Sequence, residues 1–241
     1  PAGWELEAAP AVGQPPVING LLSIILPYLE EANLESTYDY EKGFLHPDNQ
    51  PTVLTPVSIF QCPSAPGERI VPLDGIFMGA VDGTKAQATD YFGLRDIHDS
   101  AYERVNGLFT EIWLGEGRNK KVKDITDGTS KTIMFVEKAG LPELYANGAA
   151  KGETAYFYSA WAGPSGIQVY SVVSDSDPFT PFPSGPDFLN ARNNHTPYSF
   201  HSGGINVAMC DGSARFLPDS LDFDTWWRLA QPDDGLIVGS F

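Results

Sequence analysis

The sequence predicts one α+β domain, residues 1–241, built around a mostly antiparallel, loop-rich β-sheet. An amino-terminal helical segment packs on this sheet, and a short helix closes the chain. Three observations predict this class. A chain of 241 residues with 42% apolar side chains can bury a sizeable core. Its 24 glycines and 20 prolines favour many turns. Short apolar runs separated by turn signals recur along the chain, without an internal repeat or a linker.

The helices are predicted at the two ends of the sequence. The segment INGLLSIILPYLEEANL places apolar residues at helical spacing between Leu21 and Leu34. We expect Asn19 to cap this helix and Pro27 to kink or restart it. Near the carboxyl end, LDFDTWWRLA predicts the short second helix.

The strands are predicted between these helices. LTPVSIFQCPSAPGE predicts a short strand ended by proline turns. Further strands are expected in TDYFGL, GLFTEIWL, KTIMFVEKAG and AYFYSAWAG, with Asn106-Gly107 and Asp127-Gly128 as turn dipeptides. Residues 174–198 hold five prolines and no period, which predicts a long loop crossing the surface.

The most patterned stretch is FHSGGINVAMCDGSARFLPDS, residues 200–220, which predicts a β-hairpin. Asp211-Gly212 favours a two-residue type I′ turn. In the resulting register, three pairs of opposed residues form one apolar face of the hairpin. These pairs are Val207 with Phe216, Met209 with Ala214, and Ile205 with Pro218.

His201 and Asp211 lie ten positions apart, at opposite ends of one predicted strand. At about 3.3 Å per residue they are separated by roughly 30 Å, so they cannot share a proton or a metal. We expect His201 to form a hydrogen bond with Asp222 at the base of the hairpin. Gly203 and Gly204 favour a bulge or unusual dihedral angles beside it.

The formal net charge of −16 argues against binding nucleic acid, because a phosphate-binding face needs clustered lysine and arginine. The sequence contains no run of 18 or more apolar residues, the length that a membrane-spanning helix needs. Cys62 and Cys210 are the only cysteines, and the sequence leaves open whether they form a disulfide or remain two thiols.

The motifs with catalytic or ligand-binding potential are weak. In KDITDGTSKT, Asp124 and Asp127 are calcium candidates, but the EF-hand pattern is not met and a structural turn at Asp127-Gly128 is favoured. The four histidines lack zinc-type spacing, and GPSG lacks the last glycine of a nucleophile elbow. The sequence therefore predicts no catalytic residue and, calcium apart, no cofactor.

Several segments together carry a resemblance to a known family. They are LLSIILPYLEEANLESTYDY, FQCPSAP, TDYFG, NGLF, DITDGTSKTIMFVEKAG, and the histidine His201 followed after nine residues by Asp211-Gly212 and then SARFLPDSLD. In this order, over most of residues 20–230, the sequence resembles a bacterial family of prepilin-type, pseudopilin-like proteins of unknown function.

The resemblance implies a pilin-like head and a non-enzymatic structural or interaction role, related to type II secretion or type IV pili. It implies a periplasmic or extracellular position, membrane anchoring through an amino-terminal apolar helix that this sequence lacks, and pilin-like subunits or secretion-apparatus proteins as partners. In some relatives the cysteine of Phe-x-Cys-Pro, here Cys62, pairs with a cysteine on that helix.

A secreted module that binds polysaccharide or a small solute is the alternative interpretation. It would use the 174–198 loop or exposed tryptophans, of which the sequence has five, namely Trp4, Trp113, Trp161, Trp226 and Trp227. Aromatic residues more often fill cores, so the structural role is preferred.

Overall fold

The computed structural model describes residues 5–6, 17–73, 83–97, 121–154, 159–163, 166–169, 188–194, 196–236, 238–239 and 241. Within these residues the protein combines short helices with mostly antiparallel sheets, as the α+β prediction requires. The strands in chain order are β1 (Glu5–Leu6), β2 (Ile18–Asn19), β3 (Ile70–Pro72), β4 (Lys85–Gln87), β5 (Tyr91–Ile97), β6 (Ile133–Glu137), β7 (Glu143–Ala146), β8 (Ala149–Thr154), β9 (Gly166–Val169), β10 (Gly204–Met209) and β11 (Ala214–Pro218). The α-helices are α1 (Leu21–Ile25), α2 (Ala32–Glu35), α3 (Gln50–Val53) and α4 (Phe223–Ala230).

The largest sheet has five strands in the order β11-β10-β6-β5-β9. Neighbouring strands in this sheet are antiparallel, except that β5 and β9 run parallel to each other. Three two-stranded sheets, β1-β2, β3-β4 and β7-β8, accompany it. Predicted segments TDYFGL and KTIMFVEKAG correspond to β5 and β6, whereas GLFTEIWL lies outside the described residues.

Hydrophobic clusters cover both faces of this sheet. One cluster packs Val136 of β6 with Trp226 of α4, and the other contains Leu22 and Leu26 of the amino-terminal helical segment. Phe135, next to Val136, packs against the second cluster, because neighbouring side chains in a strand point to opposite faces. The amino-terminal helical segment is therefore packed on the sheet side opposite α4.

The amino-terminal helix is broken, as Pro27 predicts. Helix α1 ends at Ile25, a 3-10 turn covers Leu26–Tyr28 with Pro27 near its start, and α2 follows. The predicted cap is wrong. Asn19 belongs to β2 and its amide donates to the Tyr40 carbonyl at 2.8 Å, while Gly20 occupies the cap position without a side-chain bond.

Two predicted strands are not strands in the described residues. In the 54–68 segment, Ser58–Phe60 forms a 3-10 turn closed by the Phe60 N–H on the Val57 carbonyl at 2.9 Å. This spacing buries Val57 and Phe60 on one side, which alternation along a strand cannot do. In AYFYSAWAG, the described residues 159–163 make one isolated bridge, from Ala160 to Ala88, before a turn.

The β10–β11 hairpin is present, but its predicted register is wrong by one residue. Ile205 faces Leu217 and Val207 faces Arg215. Gly212 donates to the Met209 carbonyl at 3.0 Å and has φ +84°, so the loop is a type I turn completed by a left-handed glycine.

This one-residue shift reverses the face of β11 and leaves β10 as predicted. The predicted inward residues of β10, Ile205, Val207 and Met209, are all buried. On β11, Leu217 is buried instead of Phe216, which is 48% exposed.

The described part of the 174–198 loop does not cross the surface. Residues 188–194 are almost entirely buried. The Asn193 side chain donates to the Ala139 and Glu143 carbonyls and accepts from the Tyr145 N–H at 2.9 Å. Buried backbone groups need hydrogen-bond partners, and the side chain of this asparagine supplies partners for these three groups in place of a neighbouring strand.

Candidate functional site

Three potential ligand side chains from distant segments meet at one end of the large sheet. They are Cys62, Glu137 and His201, and one ligand atom from each lies within 4.8 Å of the others. The sulphur of Cys62 is 3.6 Å from His201 Nε2, and Glu137 Oε1 is 3.1 Å from the same nitrogen. Among the described residues this is the one group of three or more such side chains.

Cys62 is positioned through its backbone. Its N–H donates to Asp90 Oδ2 at 2.8 Å, immediately after the 3-10 turn that ends at Phe60. Arg69 donates to both oxygens of Asp90 at 2.9 Å, and the Gly140 N–H donates to Oδ1 at 3.0 Å. Burial raises the pKa of Asp90, whereas the Arg69 guanidinium and the two amides oppose that rise. With four donors on its two oxygens, Asp90 is held as a carboxylate.

Glu137 is the last residue of β6 and is 1% exposed. Its Oε2 accepts the Asn206 N–H at 2.6 Å, and its Oε1 accepts from the Asn206 side-chain amide at 3.4 Å. A buried carboxylate is costly unless it is hydrogen-bonded. Asn206 on the neighbouring strand provides these bonds and fixes the direction of Glu137.

His201 precedes β10 at the base of the hairpin. Its N–H donates to Ser199 Oγ at 3.1 Å, and its side chain is 30% exposed. Gly203 has φ +82°, and a β-carbon on Gly204 would lie 2.1 Å from the Leu217 carbonyl oxygen. These two glycines let the chain turn sharply beside His201 and then enter the ladder.

The carboxylate that contacts His201 differs from the one predicted. His201 contacts Glu137, and the predicted partner Asp222 instead caps α4 by accepting from the Thr225 N–H at 2.8 Å. The prediction was wrong because the adjacent strand β6 lies nearer to the hairpin base than the start of α4.

Burial raises the pKa of the Cys62 thiol, and the negative charges of Glu137 and Asp90 add to the effect. Burial likewise raises the pKa of Tyr91, which faces Glu137 across the β5–β6 pair, and the charges of Cys62 and Glu137 contribute. The thiol is therefore protonated at neutral pH.

The cluster does not have the geometry of a cysteine–histidine–acid relay. Such a relay places the nucleophile and the acid on different ring nitrogens of the histidine. Here both the Cys62 sulphur and the Glu137 carboxylate contact Nε2. The three ligand atoms lie within 4.8 Å of one another, a spacing compatible with a shared metal ion.

The calcium candidates are occupied by backbone amides. Asp127 accepts from the Asp234 N–H at 2.7 Å and the Gly235 N–H at 3.0 Å, and Asp124 accepts from the Lys121 N–H at 2.8 Å. Gly128, with φ +100°, leads into a 3-10 turn. In the described chain, Asp127 fastens the carboxy-terminal segment to this turn.

The two cysteines are free thiols. Cys62 is buried in the cluster, whereas Cys210 lies half-buried in the β10–β11 turn. Of the tryptophans, Trp161 and Trp226 are fully buried and Trp227 is 7% exposed. Trp4 and Trp113 lie outside the described residues.

Sequence reasoning identified His201 but missed Cys62 and Glu137 as its neighbours. A signal was present, because FQCPSAP, FVEKAG and the His201 motif each contribute one of the three residues. No spacing rule links them, since Glu137 lies 64 residues and Cys62 lies 139 residues from His201.

Comparison with protein families shows that residues 1–224 match the family described as "Protein of unknown function (DUF1559)". Comparisons with curated proteins and with solved structures give no match. The match spans most of the 241 residues, so the chain belongs to the DUF1559 family, whose function is not known.

Proposed function

We propose that this chain is the head of a pseudopilin-like protein, with a non-enzymatic structural and interaction role related to type II secretion or type IV pilus systems. The proposal rests on the resemblance of its segments to prepilin-type proteins. The structural observation that supports it most is that the residues of the family signature shape the β10–β11 hairpin. Asp211 and Gly212 form the hairpin turn, and His201 ties the hairpin base to β6.

The proposal assigns the head to the periplasm or the cell exterior, with an apolar helix ahead of Pro1 as its anchor. Within the described residues, the helices are too short and too polar to cross a bilayer. The net charge of −16 disfavours contact with anionic lipid headgroups, so the head would extend away from the membrane surface. Its partners would be pilin-like subunits or secretion-apparatus proteins.

The alternative, a module binding polysaccharide or a solute, gains no support from the described tryptophans. A stacking platform needs exposed aromatic faces. The three described indoles are buried in the two hydrophobic clusters and serve as core residues.

The test is to isolate the native protein from the membrane fraction of its source cells and determine its intact mass and amino-terminal sequence. We expect a processed terminus leading into about 20 apolar residues ahead of the head. The soluble fraction, analysed in parallel, serves as the control and should be depleted of the protein. A native terminus close to Pro1, with the protein recovered in the soluble fraction, would overturn the proposal.

A further inference from the structure

We propose that Cys62, Glu137 and His201 bind a divalent transition metal of the zinc class, with a fourth coordination position open to solvent. This site is independent of the pseudopilin proposal, since its evidence is the local geometry of three side chains. Either proposal can fail without the other.

Two of the three distances between the ligand atoms are close to those of a tetrahedral zinc site. With zinc–ligand bonds of about 2.0–2.3 Å, neighbouring ligands of a tetrahedron lie about 3.3–3.8 Å apart. The sulphur of Cys62 is 3.6 Å and Glu137 Oε1 is 3.1 Å from His201 Nε2. All three ligand atoms lie within 4.8 Å of one another, so shifts of up to about 1 Å would place them around one ion.

The chemistry of the donors selects the class of metal. One sulphur, one imidazole nitrogen and one carboxylate oxygen suit zinc and its first-row neighbours. Calcium and magnesium prefer ligand sets made of oxygen alone, so they are disfavoured. Coordination replaces the thiol proton of Cys62, which is released to solvent as the sulphur–metal bond forms.

Hydrogen bonds outside the cluster hold two of the ligands in place before metal arrives. Asn206 fixes Glu137 through bonds to both carboxylate oxygens, and Asp90 fixes the backbone of Cys62. Asp90 is itself anchored by both terminal nitrogens of Arg69. Such outer partners are typical of metal sites because they orient the ligands.

Without a metal, the Cys62 sulphur and the Glu137 carboxylate both lie against one nitrogen, His201 Nε2. An imidazole nitrogen offers one hydrogen-bonding position, so only one of these two contacts can be a hydrogen bond at a time. A cation at the centre satisfies all three atoms at once and offsets the negative charge of a buried carboxylate.

Access to the site comes from the His201 side. Cys62 and Glu137 are 3% and 1% exposed, whereas the His201 side chain is 30% exposed. Three protein ligands with one solvent-facing position is the arrangement that zinc sites use when the fourth ligand is exchangeable.

The experiment titrates the chelator-treated chain with Zn²⁺, in competition with a chromophoric chelator, and with Co²⁺ as a spectroscopic probe. The chain provides a matched pair of thiol variants, Cys62→Ser in the cluster and Cys210→Ser in the turn. We expect one tight site and, with Co²⁺, a thiolate-to-metal charge-transfer band together with intense visible absorption.

Cys62→Ser should abolish the charge-transfer band and lower zinc affinity by at least about 100-fold, because loss of an outer partner alone costs 10–100-fold. Glu137→Gln should also weaken binding, while Cys210→Ser leaves band and affinity unchanged. A pale cobalt complex without the sulphur band, or equal affinity in wild type and Cys62→Ser, would overturn the proposal by assigning the ion to surface carboxylates.

If Cys62→Ser does not fold, thiol labelling of the wild-type chain decides the question. Zn²⁺ should slow alkylation of Cys62 at least tenfold after mild opening in urea and leave Cys210 unaffected. Equal protection of both thiols, or of neither, would contradict a site at Cys62.

Discussion

The two ends of the β10–β11 hairpin are built by different means. At the tip, Asp211 accepts from the N–H and hydroxyl of Ser213, two residues away. At the base, His201 meets Glu137 and Cys62, which lie 64 and 139 residues away along the chain. The tip is a local structure that a short peptide sequence can encode, whereas the base exists only once the whole sheet has assembled.

The two ends also differ in their exposure to solvent. At the tip, Asp211 is exposed, and no atom lies within 4 Å of where a β-carbon on Gly212 would be. At the base, in contrast, Glu137 is only 1% exposed. Deleting a polar group costs little where water can replace its partner and much where it cannot. We therefore expect equivalent substitutions to have larger effects at the base.

Asp90→Ala should have the largest effect, about 3–5 kcal/mol of unfolding free energy. The change leaves the largely buried Arg69 without its carboxylate and removes the acceptor of the Cys62 and Gly140 N–H groups. Urea denaturation measures the loss, with Asp211→Ala at the exposed tip as the matched control, for which a much smaller loss is expected. Equal losses in both variants would abolish the distinction between base and tip.

Gly204→Ala should cost about 3 kcal/mol, since its β-carbon would lie 2.1 Å from the Leu217 carbonyl oxygen within the β10–β11 ladder. Its neighbour Gly203 is the control. Gly203 has φ +82° with nothing within 4 Å of a β-carbon, so Gly203→Ala should cost only about 1–2 kcal/mol. Thermal unfolding of the two variants would contradict the steric argument if Gly203→Ala were the less stable protein.

At the tip, Gly212→Val should cost about 1–2 kcal/mol because a β-branched residue is strained at φ +84°. Gly212→Asn should cost less, since asparagine tolerates the left-handed region. The melting temperatures of the two variants test this order. A valine variant as stable as wild type would rule out the left-handed glycine in the turn.

Asp222→Ala should have a smaller effect than these glycine substitutions, about 1 kcal/mol at pH 7, through loss of the α4 cap. Hydrogen bonds from Thr225 lower the pKa of Asp222 in the folded protein. Its contribution is therefore present above the unfolded pKa of about 3.9 and is lost as pH falls through the folded pKa. The difference in melting temperature from wild type should shrink below about pH 4, and an unchanged difference at low pH would contradict this linkage.

A double-mutant cycle separates the two carboxylates considered for His201. His201→Ala should be additive with Asp222→Ala and coupled to Glu137→Ala, because of these two carboxylates it is Glu137 that contacts the imidazole. Coupling to Asp222 would instead restore the pairing that the sequence predicted.

The sequence could predict the local features of this region and not the long-range ones. Alternation correctly identified the buried side of β10, and LDFDTWWRLA correctly predicted α4. The Asp211-Gly212 pair is compatible with two turn types whose registers differ by one residue, so the face of β11 could not be deduced. Cys62 and Glu137 could not be assigned to His201, because their approach depends on the order of strands in the sheet.

Pro218 has a consequence for the edge of the five-stranded sheet. Strand β11 forms one edge of the five-stranded sheet. The Met209–Ser213 and Gly203–Asp219 hydrogen bonds show that the backbone N–H and C=O groups of the odd-numbered residues of β11 point towards β10. The backbone groups of Ala214, Phe216 and Pro218 therefore point to the other side, the edge of the sheet. Proline has no N–H, and this edge therefore offers only two donors to an incoming strand. Among the described residues, this proline therefore disfavours β-sheet aggregation between copies of the chain along the β11 edge.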